Sequence, residues 1–299
     1  MSQEIKEIKQ ICLDKWRNGG ELDRRLTSFD DNFEEWLKQI PENNRETVLT
    51  LVQNLEYYSH RTTNYWLKNL HSQLLETGDI TDENTIYVFI KSKYGKSNSS
   101  NDYWTEYKAI NSINTNICIT DIEDLEAEDF QYIDNVVFID DFSGSGKSFL
   151  DEIKKNHSIY LEKNIYFITI NIMYKAVKAI EEYSKENGLN IILLSALKQR
   201  KAFERGLFND DDVAKREIKT MSLDFKIPEN EVLGFKKSQA LIAFYNNTPN
   251  NTLGFIRYDT DTYNSIFPRN DNYVPQWLQL KKERMRRNKV NYNSKIKGE

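Results

Sequence analysis

Between Val136 and Phe149 the chain gathers residue types that suit a phosphorylated sugar. The apolar run Val136-Val137-Phe138-Ile139 meets two acids, Asp140 and Asp141. Phe142 leads into Ser143-Gly144-Ser145-Gly146-Lys147-Ser148, and an apparent helix opens with Lys147, Ser148 and Phe149. A buried strand brings its carboxyl end beside a helix N-terminus, where free amides and the helix dipole favour an anion. Glycines admit positive φ and a close approach of backbone to phosphate. Ser145 and Ser148 offer hydroxyl donors. Adjacent carboxylates repel phosphate but suit ribose hydroxyls or a divalent cation.

These residues must be positioned by strands and helices, and the hydrophobic period supplies both. Thr85–Ile90, Val136–Ile139, Asn164–Ile172 and Asn190–Leu194 are short β-branched and aromatic runs that predict buried strands. Amphipathic segments near 147–160 and 174–187 separate the last three, so βαβ units with a parallel sheet are expected, with ligands at the strands' carboxyl ends. Ahead of them lie helical patterns: one ending at Gly19-Gly20, one stopping at Pro41, and one from Asn43 to Glu76 with a break at Ser59–Thr63. Residues 198–225 read as charged and helical. Ala240–Phe244 and Leu253–Ile256 read as strand-like, flanking the turn-rich 246–251. The expected organisation is an N-terminal helical region (1–80), an α/β domain (81–280) and a basic C-terminal tail (281–299).

The loop fits one of two phosphate-binding templates better than the other. A Walker A loop also ends Gly-Lys-Ser, but it needs a glycine where Asp141 stands. The segment Asp140 to Ser148 instead resembles the signature of type I phosphoribosyltransferases, in the form E-D-I-I-D-T-G-K-T of the hypoxanthine-guanine enzymes. That resemblance implies a Rossmann-like parallel sheet flanked by helices and binding of phosphoribosyl pyrophosphate (PRPP) or a ribose-5-phosphate nucleotide with Mg2+. Asp140 and Asp141 would hold the ribose hydroxyls or the metal, and Ser143, Gly144, Ser145, Gly146, Lys147 and Ser148 would wrap the phosphate. Gly144 departs from the pattern: those enzymes carry there an aspartate thought to act on the base. By the same resemblance, Lys91, Ser92, Lys93, Gly95, Lys96 and Ser97, after the first strand, form a pyrophosphate loop in which Lys91 joins Asp140 and Asp141 as a catalytic candidate. The polar stretch Asn98–Asp102 would be a mobile lid.

Most of the chain, from about 30 to 270, also resembles phosphoribosyltransferase-like effectors of bacterial conflict systems, including those encoded beside retron reverse transcriptases. Trp36-Leu37, Tyr57-Tyr58-Ser59, the loop, and Asn247-Thr248-Pro249-Asn250-Asn251-Thr252-Leu253 followed by Phe267-Pro268-Arg269 carry this likeness. It implies an antiphage effector acting at the anomeric carbon, with Asn250, Asn251 and Arg269 as a cap on the site. The alternatives are a non-catalytic nucleotide-sensing or nucleic-acid-complex module, or a P-loop NTPase.

Composition bounds the rest. A net charge of −5 over 299 residues gives no global attraction to nucleic acid. The tail from Lys281 carries eight Lys/Arg against two Glu, a local patch for a reverse transcriptase and its DNA–RNA product or another partner surface. Two cysteines and three scattered histidines give no zinc pattern. With neither an export signal nor an apolar span, a cytoplasmic protein without a membrane partner is expected, with homo-oligomerisation left open.

Overall fold

The computed structural model describes residues 3–88, 90, 99–126, 128–270, 277 and 284. In chain order the helices and strands are α1 (Gln3–Arg17), α2 (Arg24–Gln39), α3 (Arg45–Gln53), β1 (Glu56–Tyr58), α4 (His60–Glu76), β2 (Thr85–Val88), α5 (Ser99–Asn111) and β3 (Cys118–Ile119). They continue with β4 (Asn135–Ser143), α6 (Lys147–Lys155), β5 (Asn164–Met173), α7 (Tyr174–Glu186), β6 (Asn190–Gln199), α8 (Asp211–Asp224), α9 (Glu229–Val232), β7 (Ile242–Phe244) and α10 (Gly254–Arg257). Among the described residues no helix is long and apolar enough to cross a membrane.

A five-stranded sheet in the order β3-β2-β4-β5-β6, parallel throughout, forms the centre. The predicted parallel α/β sheet flanked by helices is therefore present. Both faces of β4 are buried because alternate side chains meet different helices. Val137 and Ile139 pack with Leu67, Leu70 and Leu74 of α4 and Tyr103 and Tyr107 of α5. Val136 and Phe138 pack with Phe149 and Ile153 of α6 and Ala176 and Ile180 of α7. Phe149 stacks on Phe167 of β5 at 4.2 Å, and meets Phe138 edge-on at 5.4 Å. Burial of each such ring is worth about 2–3 kcal/mol, so the start of α6 is held firmly against the sheet. From β2 the chain moves to one side, to β3, and then returns to β4 on the other. The carboxyl ends of β2 and β4 thus flank a topological switch point, where open α/β sheets bind ligands.

The N-terminal helices do not form a core of their own. Trp16, Phe29, Phe33, Trp36 and Val52 from α1–α3 are buried together with Phe203, Ile218, Leu253, Phe255, Tyr263 and Phe267 from the C-terminal half. The short strand β1 pairs in parallel with β7, Glu56 opposite Ile242 and Tyr58 opposite Phe244. The segment around Tyr57, expected to be helical, is therefore extended, and the helix resumes at His60 behind Ser59, whose hydroxyl accepts from the Thr62 amide at 3.2 Å. Leu253–Ile256, expected to be strand-like, instead gives a single helical turn, Gly254–Arg257, with Leu253 as its N-cap. Residues 99–102, expected within a lid, form the first turn of α5, and the buried Ser100 Oγ donates to Ile139 O at 2.9 Å.

Arg25 stitches α2 to the C-terminal segment. Its guanidinium donates to Phe244 O at 2.7 Å, Thr248 Oγ1 at 2.7 Å and Pro268 O at 2.9 Å, and lies 5.6 Å from the Phe267 ring centre. Arg25→Ala leaves these acceptors unpaired and is expected to destabilise the fold by about 3 kcal/mol. Arg25→Lys should recover little of that, because an ammonium cannot reproduce the planar fork. Urea denaturation of both variants checks this.

Candidate functional site

β4 runs through both acids and stops at Ser143, paired to β5 with Asp140 opposite Thr169 and Ser143 opposite Ile172. Only Gly144, Ser145 and Gly146 separate it from α6. A Walker loop would have left the strand before Asp141, so the strand itself occupies the backbone such a loop needs. Gly146 adopts φ 68° as the N-cap of α6, with no side chain to cap the helix. The first turn of α6 also contains no acid. Its amides and the positive end of its dipole are left to an anion.

The two carboxylates sit at the head of this loop. The Asp141 amide donates to Asp140 Oδ1 at 3.0 Å. Asp141 is buried. Desolvation, then the neighbouring Asp141 charge, raises the Asp140 pKa well above its ordinary 3.8. Tyr103 of α5 lies on the same side, its own pKa raised by burial and by Asp141, and its hydroxyl donates to Asn246 Oδ1 at 3.0 Å.

Of the predicted phosphate ligands, Ser143 and Gly144 are buried, Ser145 is half-buried, and Lys147 and Ser148 are exposed. Lys147 Nζ is drawn along the helix to Asp151, at 2.8 and 2.9 Å from its two oxygens. The two glycines serve different needs. Gly146 supplies the left-handed turn, whereas Gly144 makes room. A Cβ on Gly144 would overlap the Asn251 carboxamide, with Cγ only 2.5 Å away. The C-terminal motif is thus brought onto the loop through Asn251. Asn250 contributes its carbonyl to Phe235 N at 2.8 Å, and Arg269 Nη1 donates to Thr248 O at 2.6 Å. These two brace the turn, and Asn251 is the one that meets the loop.

Lys91, Ser92, Lys93, Gly95, Lys96 and Ser97 lie outside the described residues, as does the tail apart from Arg284. The residues that bracket the first segment, Ile90 and Ser100, are both buried. No group of three or more His, Cys, Asp or Glu among the described residues is arranged to hold a metal. The Asp140–Asp141 pair fits Mg2+ only in the manner of one or two carboxylates completed by substrate phosphates and water. A separate cavity of about 260 Å³, lined by Lys15, Tyr58, Trp66 and Leu197 among others, lies toward β6 and excludes the loop. The chemistry is concentrated at the loop, so the loop is taken as the site.

Sequence reading missed Tyr103, and placed Ser100 in a lid rather than at the start of α5. Tyr103, Trp104 and Tyr107 have the spacing of a helix face, a signal obscured by the polar residues before them.

A family model, PRTase-CE, matches residues 33–269. The chain belongs to the PRTase-CE family. No curated protein and no solved structure matches it. The family is phosphoribosyltransferase-like, in keeping with the parallel sheet and the loop at its switch point. The match takes in both α2 from Phe33 onward and the segment ending at Arg269, the two parts that Arg25 and the shared core hold together.

The raised Asp140 pKa gives a stability signature of this PRTase-CE site. Between pH 3.8 and the raised value, the folded state retains a proton that the unfolded chain releases, so the group lowers stability as pH rises. Asp140→Asn is expected to be more stable than wild type by about 1–2 kcal/mol near pH 7, with the gap closing toward pH 4. Thermal unfolding of both proteins across that range is the measurement.

Proposed function

We propose that this PRTase-CE protein binds PRPP or a ribose-5-phosphate nucleotide, together with Mg2+, and acts at the anomeric carbon. The observation that carries this reading is the Asp140–Asp141 pair, half-buried and buried respectively, at the end of the strand whose loop leads into the uncapped N-terminus of α6. Asp140 and Asp141 accept hydrogen bonds from the ribose 2′- and 3′-hydroxyls or share the metal. The amides of Gly144 to Ser148 and the Ser145 hydroxyl receive the 5′-phosphate. Lys91, Lys93 and Lys96, outside the described residues, would neutralise the diphosphate. Mg2+ would neutralise diphosphate charge as the leaving group departs, while the protein holds the sugar in position. The family resemblance supports a setting in antiphage defence, beside a retron reverse transcriptase, in the cytoplasm.

A second reading keeps the ligand and drops the chemistry. Gly144 provides no carboxylate for proton transfer at a base, which favours a nucleotide-sensing module. Turnover of PRPP or nucleotides by purified protein separates the two readings.

Isothermal titration tests the shared premise. Wild type should bind PRPP with Mg2+, and Asp140→Asn/Asp141→Asn should lose at least about a hundredfold in affinity. Unchanged binding by the double variant would remove the assignment, and binding of ATP with Mg2+ but not PRPP would leave a nucleotide-consuming variant of the same loop or the P-loop reading.

The basic tail is proposed to hold a reverse-transcribed DNA–RNA through its phosphates. Deleting residues 281–299 should weaken that complex and flatten its salt dependence in filter binding; an unaltered complex would dismiss the tail.

A further inference from the structure

Asn251 belongs to a turn far from the loop in sequence, yet its side chain is fitted against Gly144. Its backbone is fixed on several sides. Its carbonyl accepts from Ala240 N at 3.1 Å and from Ser238 Oγ at 2.9 Å, and Thr252 Oγ1 donates to Ile242 O at 2.7 Å. Gly234 has no space for a Cβ beside the Asn251 carbonyl. Around the turn, Thr248 is clamped between Arg25 and Phe267 O.

Such fixing contrasts with the state of the carboxamide. Asn251 is only 8% exposed, yet its side chain makes no hydrogen bond among the described residues. Ordering a nearly buried carboxamide with no described protein partner for its donors costs stability that a ligand oxygen would offset. An aliphatic side chain of the same size would fill the space without that cost. Nor does the loop itself commit a cation to an anion, since Lys147 is paired with Asp151.

We propose that Asn251 is a ligand-contacting residue whose side-chain N–H donates to an oxygen of the phosphate held at Gly144–Ser148, and that Gly144 is small in order to admit it. This rests on the reading of the loop as a phosphate site. The contact is neutral and does not titrate, so it recognises the phosphate without supplying an acid or base.

The test is titration of ribose 5-phosphate, and of PRPP with Mg2+, into the full chain and its variants, with unfolding temperature recorded for each. Asn251→Ala should weaken both ligands about tenfold. Asn251→Asp keeps the shape but turns a carboxylate toward the phosphate, and should weaken them at least about tenfold further. Gly144→Ala should reproduce the Asn251→Ala loss by displacing the carboxamide. If Asn251→Ala and Asn251→Asp bind as wild type, even with lowered unfolding temperatures, Asn251 is packing only and the inference is overturned. In that case loss of binding in Asp140→Asn/Asp141→Asn leaves the site reading standing. Failure of wild type to bind either ligand overturns both.

Discussion

Two carboxylates side by side at the end of a buried strand are the constraint around which this molecule is arranged. Desolvation, then the neighbouring Asp141 charge, opposes ionisation of Asp140, a cost that hydroxyl donors or a cation at the pair would offset. β4 carries the acids at its end because Val136–Ile139 just before them are apolar and buried on both faces and anchor the strand. The strand's central place in the sheet puts its end at the switch point, beside a helix terminus of opposite electrostatic character. An acidic pair and a positive helix end, separated by the five residues Phe142 to Gly146, form a dipolar receptor. That polarity suits a ligand with hydroxyls at one end and phosphate at the other.

The second half of the molecule serves the same place from outside the sheet. Helices α1–α3 and residues 202–267 share one core, so neither is complete without the other. The β1–β7 pair joins this unit to the face of the sheet through Tyr58 and Phe244, which stack at 5.1 Å and lie in the core beneath α4 and α5. Asn171 of β5 donates to Tyr58 OH at 3.1 Å, extending the connection into the strand next to β4. Arg25 and Thr248 then fix the turn that carries Asn251. A chain of ordinary packing and hydrogen bonds thus delivers one side chain from the C-terminal unit to a loop on the sheet.

What was legible in the sequence follows from the range of the interactions involved. The four main strands and the helices between them repeat their hydrophobic period locally, and the loop announces itself by acids, glycines and a helix start in one short span. β1 was not legible because its partner is β7, and nothing within the run Leu55–Tyr58 reports a strand so distant in the chain. Gly254–Ile256 misled for a related reason. Its apolar residues fit a buried strand or a buried helical turn equally well at that length. Tertiary contact decides: a Cβ on Gly254 would lie 2.8 Å from Glu231 O, so only glycine lets the turn close against α9. The Asn250-Asn251 pair was legible as a turn, but not which asparagine would reach the loop.

The Gly144–Asn251 contact bears on how this site divides its work. A side chain at position 144 would overlap the Asn251 carboxamide, and a carboxylate there would add a third acid to a segment that already carries Asp140 and Asp141. Glycine removes that possibility, and a neutral carboxamide from another part of the chain fills the space. Proton transfer, where the reaction needs it, must then fall to other residues or to the ligand's own groups. On the proposed reading the loop would hold the phosphate and orient the sugar, tasks that rigid, preorganised dipoles perform well.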